Sequence, residues 1–180
     1  MRPFDHQRIL LGVTGGIASY KAAWLARLLT QAGAEVDVVL TRAATEFIGA
    51  ITFEALTGRP VHTALIASGH ALDHIALARA AQLVVVAPAT ADFLARAVGG
   101  HADDLLSACL LATMAPTLLV PAMNDRMWAH PTVRRNTAAA EKSLTNGESK
   151  SVATAPASEI AAWTMVTNLL LNLDETVTRN

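Results

Sequence analysis

His74 is the side chain in this 180-residue sequence best placed to move a proton near neutral pH. It begins a short predicted helix, and an imidazole has an unperturbed pKa of ~6.5, which suits general acid–base catalysis. A lone histidine at an apolar helix start is also a common structural residue, and this alternative stays open. Asp73 precedes it, but adjacent residues on a helix do not face each other. His74 is therefore a candidate catalytic residue.

Three predicted strands end in small residues that lead into predicted helices. Backbone N–H groups and the helix dipole at such a turn bind phosphate, and ligands of open α/β sheets bind at the carboxyl ends of strands. The alternative is that Gly15 and Gly16 only form a tight turn, since neither the Gly-x-Gly-x-x-Gly nor the P-loop pattern is present. The three strand ends are Thr14-Gly15-Gly16-Ile17-Ala18, Thr41-Arg42-Ala43-Ala44 and Pro88-Ala89-Thr90-Ala91-Asp92.

A fourth predicted strand ends in Pro121-Ala122-Met123-Asn124. Asn124 either caps the next helix or uses its amide to recognise a carboxylate or carbonyl group. Cys109 lies in the middle of a predicted helix and is interpreted as an inert buried thiol. The histidines lack the spacing of a metal site, so no metal is predicted.

The alternation of strands and helices over residues 8–136 predicts one α/β domain with a doubly wound parallel sheet. The apolar run of the first strand is continuous, which is typical of a strand covered on both faces. The helix after it has apolar residues at helical spacing, including Tyr20, Trp24 and Leu25. Strands are predicted at 8–13, 35–41, 83–87 and 117–120, and helices at 43–48, 52–56, 73–79, 90–98 and 103–112.

Composition and charge restrict the class of partner. The chain has 14 Lys and Arg against 15 Asp and Glu, which disfavours binding to nucleic acid or to an acidic membrane. The longest apolar stretch, 108–123, contains two prolines and is shorter than the ~20 residues of a membrane helix. A single cysteine favours a reducing compartment such as the cytoplasm. With 52% hydrophobic residues and 16% charged residues, some apolar surface is expected to be buried between subunits.

The composition changes after Asn136. Residues 1–136 are predicted to form the domain, and 137–158, rich in Ala, Ser, Thr, Glu and Lys, a flexible divergent segment. Residues 159–180 are predicted to contain a C-terminal helix, which spans the apolar stretch 160–173.

Five segments together resemble the homo-oligomeric flavin-containing cysteine decarboxylases, and within them the phosphopantothenoylcysteine decarboxylase domain of coenzyme A biosynthesis. They keep the order and approximate spacing of the family over residues 8–136. The His-Ile and Pro-x-Met-Asn-x-x-Met-Trp motifs are specific, whereas the Gly-Gly turn alone would be weak. The segments are Gly12 to Lys21, His74 to Ala78, Pro88 to Asp92, Ala102 to Ser107 and Pro121 to Trp128.

The resemblance implies a Rossmann-like, flavodoxin-like fold that binds FMN between the subunits of a homotrimer or of a homododecamer. Phe53 would pack on the flavin of a neighbouring subunit. The positions that match the cofactor-binding residues of the family are Gly15, Gly16, Ile17, Ala18, Thr41, Phe53, Ala89, Thr90, Ala91, Asp92, Ser107 and Met123.

The resemblance also implies the reaction. His74 would be the active-site base. Asn124 and Met127 would bind a small cysteinyl substrate, and Asn124 would contact the carboxylate of that substrate. Phosphopantothenoylcysteine would lose CO2 through a thioaldehyde intermediate to give phosphopantetheine, with FMN as the redox group. Nothing in 137–180 matches the flap of these decarboxylases, which carries a cysteine. Two alternatives therefore stay open: an oxidative decarboxylase of a peptide C-terminal cysteine, and a non-catalytic FMN-binding regulatory flavoprotein.

Overall fold

A computed structural model describes residues 2–66 and 72–145. Its strands are β1 (Arg8–Val13), β2 (Glu35–Leu40), β3 (Val61–His62), β4 (Leu83–Ala89) and β5 (Thr117–Pro121). Its helices are α1 (Ser19–Gln31), α2 (Arg42–Thr45), α3 (Ala50–Thr57), α4 (Asp73–Ala80), α5 (Ala91–Gly99), α6 (Leu105–Ala112), α7 (Asp125–Ala129) and α8 (Pro131–Thr145).

The five strands form one parallel sheet in the order β3-β2-β1-β4-β5. The chain runs from β1 outward to β3 and then returns to the other side of β1 as β4. This reversal makes a crevice between the carboxyl ends of β1 and β4, where ligands of such sheets bind. The predicted doubly wound, Rossmann-like fold is confirmed.

Helices cover both faces of the sheet, which explains the continuous apolar run of β1. Ile9 and Leu11 join a cluster with residues of α1, whereas Leu10 joins the cluster on the opposite face. On that second face a Cβ atom added to Gly12 would lie 2.4 Å from Cδ1 of Leu106. Gly12 therefore lets α6 pack directly on the middle of the sheet.

The structure differs from the sequence prediction in the buried side of α1. Tyr20 and Trp24, predicted on the buried face, are more than half exposed. The buried stripe instead combines leucines with Ala22 and Ala26, because small alanine side chains let the helix approach the sheet closely. The exposed aromatic residues leave an apolar strip on the outer side of α1.

Three boundaries also differ. β4 continues through Pro88, whose peptide bond with Ala87 is cis, to Ala89, so Pro88 does not end the strand. Asp73 is the first residue of α4 and not its N-cap, which is Leu72. α8 continues past Asn136 to Thr145, so the start of the segment predicted to be flexible is helical. The remainder of that segment and the predicted C-terminal helix lie outside the described residues.

A buried carboxylate near the β3 edge was not predicted from the sequence. Asp37 of β2 is only 5% exposed and accepts hydrogen bonds from Nε of Arg8 at 2.7 Å and from Nε of Arg59 at 2.8 Å. Arg59 also pairs with Glu35 at 3.2 Å. Asp37 thus joins β1, β2 and the segment after α3.

We expect Asp37→Asn to lower the free energy of unfolding by about 1–3 kcal/mol, the range for a hydrogen bond to a charged group. The loss is limited because the two arginine side chains are 38% and 29% exposed, so water can solvate them. Chemical denaturation measures the effect. Glu35→Gln is the matched control: its side chain is 53% exposed, and we expect a change below about 1 kcal/mol. Equal losses in the two variants would contradict the role of burial.

Candidate active site

The carboxyl ends of β1 and β4 are joined by two threonines. Oγ1 of Thr14 donates to the carbonyl oxygen of Pro88 at 2.7 Å and accepts from the backbone N–H of Thr90 at 3.1 Å. Thr14 is 2% exposed, so this bridge is shielded from water. Sequence analysis placed Thr14 in the turn but assigned it no role. Its position directly after a buried strand was the available signal.

The turn after Thr14 packs against the end of β2. A Cβ atom added to Gly15 would lie 2.4 Å from Cβ of Ala43 and 2.7 Å from its carbonyl carbon, so no side chain fits there. Oγ of Ser19 donates to the carbonyl oxygen of Thr14 at 2.9 Å and fixes the turn. The strand ends of β1, β2 and β4 therefore form one continuous edge.

This edge keeps free hydrogen-bond donors beside the start of α1. Within the described part of the chain, the backbone N–H groups of Gly15, Ile17 and Ala18 donate no hydrogen bond. A Cβ atom added to Gly16 would lie 3.5 Å from Cγ2 of Thr90, an ordinary van der Waals contact. A phosphate or a flat ring can approach the backbone at such a turn.

Two of the predicted cofactor residues are N-caps at this edge. Oγ1 of Thr41 accepts from the N–H of Ala44 at the start of α2, and Oγ1 of Thr90 accepts from the N–H of Phe93 at the start of α5. Ala91 and Asp92 form the first turn of α5, and Asp92 is exposed. Ala89 lies in the core beneath this turn.

Asn124 follows β5 at the same end of the sheet. The backbone N–H of Ala122 donates to the carbonyl oxygen of Ala89, which joins the β5 end to the β4 end. Oδ1 of Asn124 caps α7 by accepting from the N–H of Arg126 at 3.0 Å. The side chain is exposed, and its NH2 group makes no hydrogen bond to another described residue. The amide of Asn124 can therefore cap the helix through Oδ1 and bind a ligand through NH2. Met127 is about half exposed on α7, and Met123 packs against the core.

His74 lies elsewhere, at a cavity of about 410 Å³ beside α4 and α6. Its Nδ1 atom is buried and has no hydrogen-bond partner. Sγ of Cys109 lies 3.6 Å from the carbonyl oxygen of His74 and so contacts the backbone of this residue, not its ring. The other residues that line the cavity are apolar: Leu65, Ile66, Ala102, Ala108, Leu111 and Ala112.

The predicted site residues thus fall into two regions of this chain. No residue of the strand ends lines the His74 cavity. Two predicted cofactor residues face neither region. Phe53 is fully buried in the core, so it offers no surface to the flavin of a neighbouring subunit. Ser107 is 1% exposed and forms a capping box with Asp104, where its hydroxyl donates to the Asp104 carbonyl oxygen at 3.1 Å.

Cys109 is fully buried, as the sequence predicted, and burial raises the pKa of its thiol to about 12, with Asp104 and Asp73 contributing. We expect iodoacetamide at pH 8 to leave the folded protein unmodified and to alkylate Cys109 in denaturant, where a thiol has a pKa of ~8.5. The pKa of the Cys109 thiol is higher in the folded protein than in the unfolded protein. Cys109 therefore lowers the free energy of unfolding only as the pH rises from ~8.5 towards 12. Mass spectrometry measures the modification. Equal rates in both states would show that the thiol is accessible in the folded protein.

Among the described residues, no helix has the length and apolar character needed to cross a membrane.

The fold and the strand ends together define a Rossmann-like α/β protein whose sheet edge is suited to a phosphate-bearing cofactor. The sequence model of the Flavoprotein family matches residues 2–148, and the chain belongs to this family. The resemblance inferred from the five motifs is confirmed.

The relatives and solved structures that resemble the chain agree with this assignment. The "Coenzyme A biosynthesis bifunctional protein CoaBC" of Mycolicibacterium smegmatis is 54% identical over 132 residues, which are 73% of this chain and 32% of the relative. The protein of the same name from Vibrio vulnificus is 46% identical over 140 residues, 77% of this chain and 35% of the relative. The chain therefore spans about a third of the length of these curated relatives.

Two solved structures share the fold over most of the chain. The FMN-dependent cysteine decarboxylase SpaF superposes with a TM-score of 0.70 at 34% identity and covers 77% of this chain and 81% of its own. A PPC decarboxylase mutant complexed with pantothenoylaminoethenethiol has a TM-score of 0.66 at 28% identity and covers 77% and 79%.

Proposed function

We propose that this chain is an FMN-dependent carboxy-lyase that decarboxylates phosphopantothenoylcysteine to phosphopantetheine in coenzyme A biosynthesis. The observation that carries the proposal is the position of His74 at an apolar cavity, with its Nδ1 atom buried and without a hydrogen bond to another described residue, in a chain of the Flavoprotein family. The CoaBC relatives and the PPC decarboxylase structure support the choice of substrate. A cytoplasmic location is consistent with this pathway.

The strand ends fit FMN in three respects. The free N–H groups of Gly15, Ile17 and Ala18 and the caps at Thr41 and Thr90 suit its phosphate. The absence of a side chain at Gly16 lets a flat ring approach the backbone. Ile17 is 79% exposed and provides an apolar surface beside it. Bound FMN would supply the two-electron oxidation of the substrate that makes loss of CO2 possible.

His74 and Asn124 have separate tasks in this proposal. Nδ1 of His74 is buried and has no hydrogen bond to another described residue, so proton exchange with the substrate would use Nε2. The other lining residues of the cavity are apolar, so a bound substrate would displace water from around the ring and strengthen electrostatic interactions there. Asn124 holds the substrate carboxylate through its NH2 group while Oδ1 continues to cap α7.

A second copy of the chain completes the site in this proposal, in a homotrimer or a dodecamer. Support comes from the separation of the His74 cavity and the strand ends within one chain. The exposed apolar strip of α1, formed by Tyr20 and Trp24, lies next to the exposed Ile17 of the preceding turn, and subunits commonly bury such a surface. We therefore place FMN between subunits, where His74 of one copy would serve the strand ends of another.

A second candidate function is the oxidative decarboxylation of a peptide C-terminal cysteine. The observation that motivates it is that residues 137–180 contain no match to the flap motif with its cysteine. The third hypothesis is a regulatory flavoprotein without turnover. No observation among the described residues favours it over the other two.

One experiment separates the three functions. Purified protein is reconstituted with FMN and incubated with phosphopantothenoylcysteine or with a cysteine-ended peptide, and CO2 release and product mass are measured. Phosphopantetheine supports the first function. A product two hydrogens lighter than that of simple decarboxylation, formed from the peptide, supports the second. Bound flavin without CO2 supports the third, and protein that binds no FMN overturns all of them.

A further inference from the structure

The first turn of α4, which carries His74, is tied to the sheet by a pair of side chains. Nδ1 of His62, the last residue of the edge strand β3, lies 3.5 Å from Oδ2 of Asp73, the first residue of α4. The two side chains are 23% and 25% exposed. Because both side chains are partly buried, the attraction between a protonated His62 and the Asp73 carboxylate is screened less than that of an open surface pair. The pair therefore holds the chain at Asp73, the residue directly before His74.

This turn has no side-chain cap. Leu72 occupies the N-cap position and makes no capping hydrogen bond. The Asp73 carboxylate is favourable there because the N-terminal end of a helix carries partial positive charge. From the opposite side, Sγ of Cys109 on α6 contacts the carbonyl oxygen of His74. The backbone at His74 is therefore held from β3 and from α6.

The His74 ring depends on this backbone for its orientation. A catalytic imidazole is commonly oriented by a hydrogen bond to its second nitrogen, but Nδ1 of His74 has no partner. A shift of the first turn of α4 would therefore move the ring directly. Misplacement of a reacting group by about 1 Å can cost roughly 100-fold in rate.

We propose that His62 and Asp73 form a positioning pair for His74. This inference rests on the proposed function, because it assumes that His74 takes part in turnover. Neither residue lines the His74 cavity, so both act through the first turn of α4 and not on the substrate. Loss of the pair lowers kcat and leaves KM and flavin binding unchanged.

A double-mutant cycle on the FMN-loaded protein tests the pair. We expect His62→Gln and Asp73→Asn each to lower kcat about three- to fivefold, the factor that corresponds to a part-buried ion pair. The double variant should be no slower than either single variant, because all three lose the same interaction. Asp73→Glu keeps a carboxylate and should recover part of the rate, and His6→Gln at an exposed histidine should leave kcat unchanged. Unchanged kcat, or losses that add in the double variant, would overturn the proposal.

A second readout distinguishes this proposal from the proposed function. If the wild-type protein releases no CO2, the proposed function fails, but the ring of His74 can still be followed by histidine NMR. Its signal is identified by its loss in His74→Asn. A change of that signal in both His62→Gln and Asp73→Asn supports the positioning pair. An unchanged signal in both variants overturns it, whatever the activity of the wild type.

Discussion

His74→Asn should lower the rate of CO2 release by about 10²–10⁴-fold, the usual contribution of a general acid–base residue. The variant should keep its flavin, because His74 lines a cavity to which the strand ends contribute no residue. It should also keep its stability, since Nδ1 of His74 has no hydrogen bond to lose. Stopped-flow or steady-state CO2 measurement, together with the visible absorbance of the flavin, gives both quantities.

The matched control for this prediction is His130→Asn. His130 is exposed between α7 and α8, and its Nδ1 accepts only the local N–H of Thr132. We expect turnover within about twofold of wild type, as for most surface substitutions away from a site. Wild-type turnover in His74→Asn would remove His74 from the mechanism, and a parallel loss in His130→Asn would point to a general effect on folding.

Asn124→Asp should lower kcat/KM for phosphopantothenoylcysteine at least about 100-fold. Aspartate is as good an N-cap as asparagine, so the start of α7 should remain intact. The substitution replaces an NH2 donor by a negative oxygen, and a like charge against the substrate carboxylate costs several kcal/mol, each ~1.4 kcal/mol being tenfold. Steady-state kinetics and a substrate-binding titration check the effect.

Asn124→Ser separates the loss of the donor from the added charge. Serine also caps helices through its oxygen, so α7 should again be retained. We expect a smaller loss of kcat/KM than in Asn124→Asp, with an equal melting temperature in the two variants. Normal substrate binding by Asn124→Asp would show that Asn124 does not hold the carboxylate.

The sheet was predictable from local sequence because each central strand is covered on both faces and has an apolar run of its own. β1 spans the residues predicted for it, and β5 ends one residue later than predicted, at Pro121. β3 was missed because a strand of two residues, Val61 and His62, has no periodicity to detect. The prediction of the buried face of α1 was wrong in part. Apolar periodicity does not distinguish a helix side that packs on the sheet from a side that is left exposed.

The candidate site was predictable in type but not in arrangement. The Gly-Gly turn and the threonines after β2 and β4 form one edge, since parallel strands bring their carboxyl ends together. Phe53 and Ser107 were assigned from the family resemblance alone, and the structure buries both. A motif gives residue type and order, whereas the direction of a side chain depends on how its helix packs.

The sequence by itself determined the order of the four longer strands and of the helices between them, the small-residue turns after the strands and membership of the Flavoprotein family. These features depend on residues close together in the chain. The tertiary structure decided which distant residues meet: Thr14 with Thr90, Asp37 with Arg8 and Arg59, and His62 with Asp73. It also decided that His74 lies apart from the strand ends. Such contacts follow from strand register, crossover and helix packing, which no local pattern specifies.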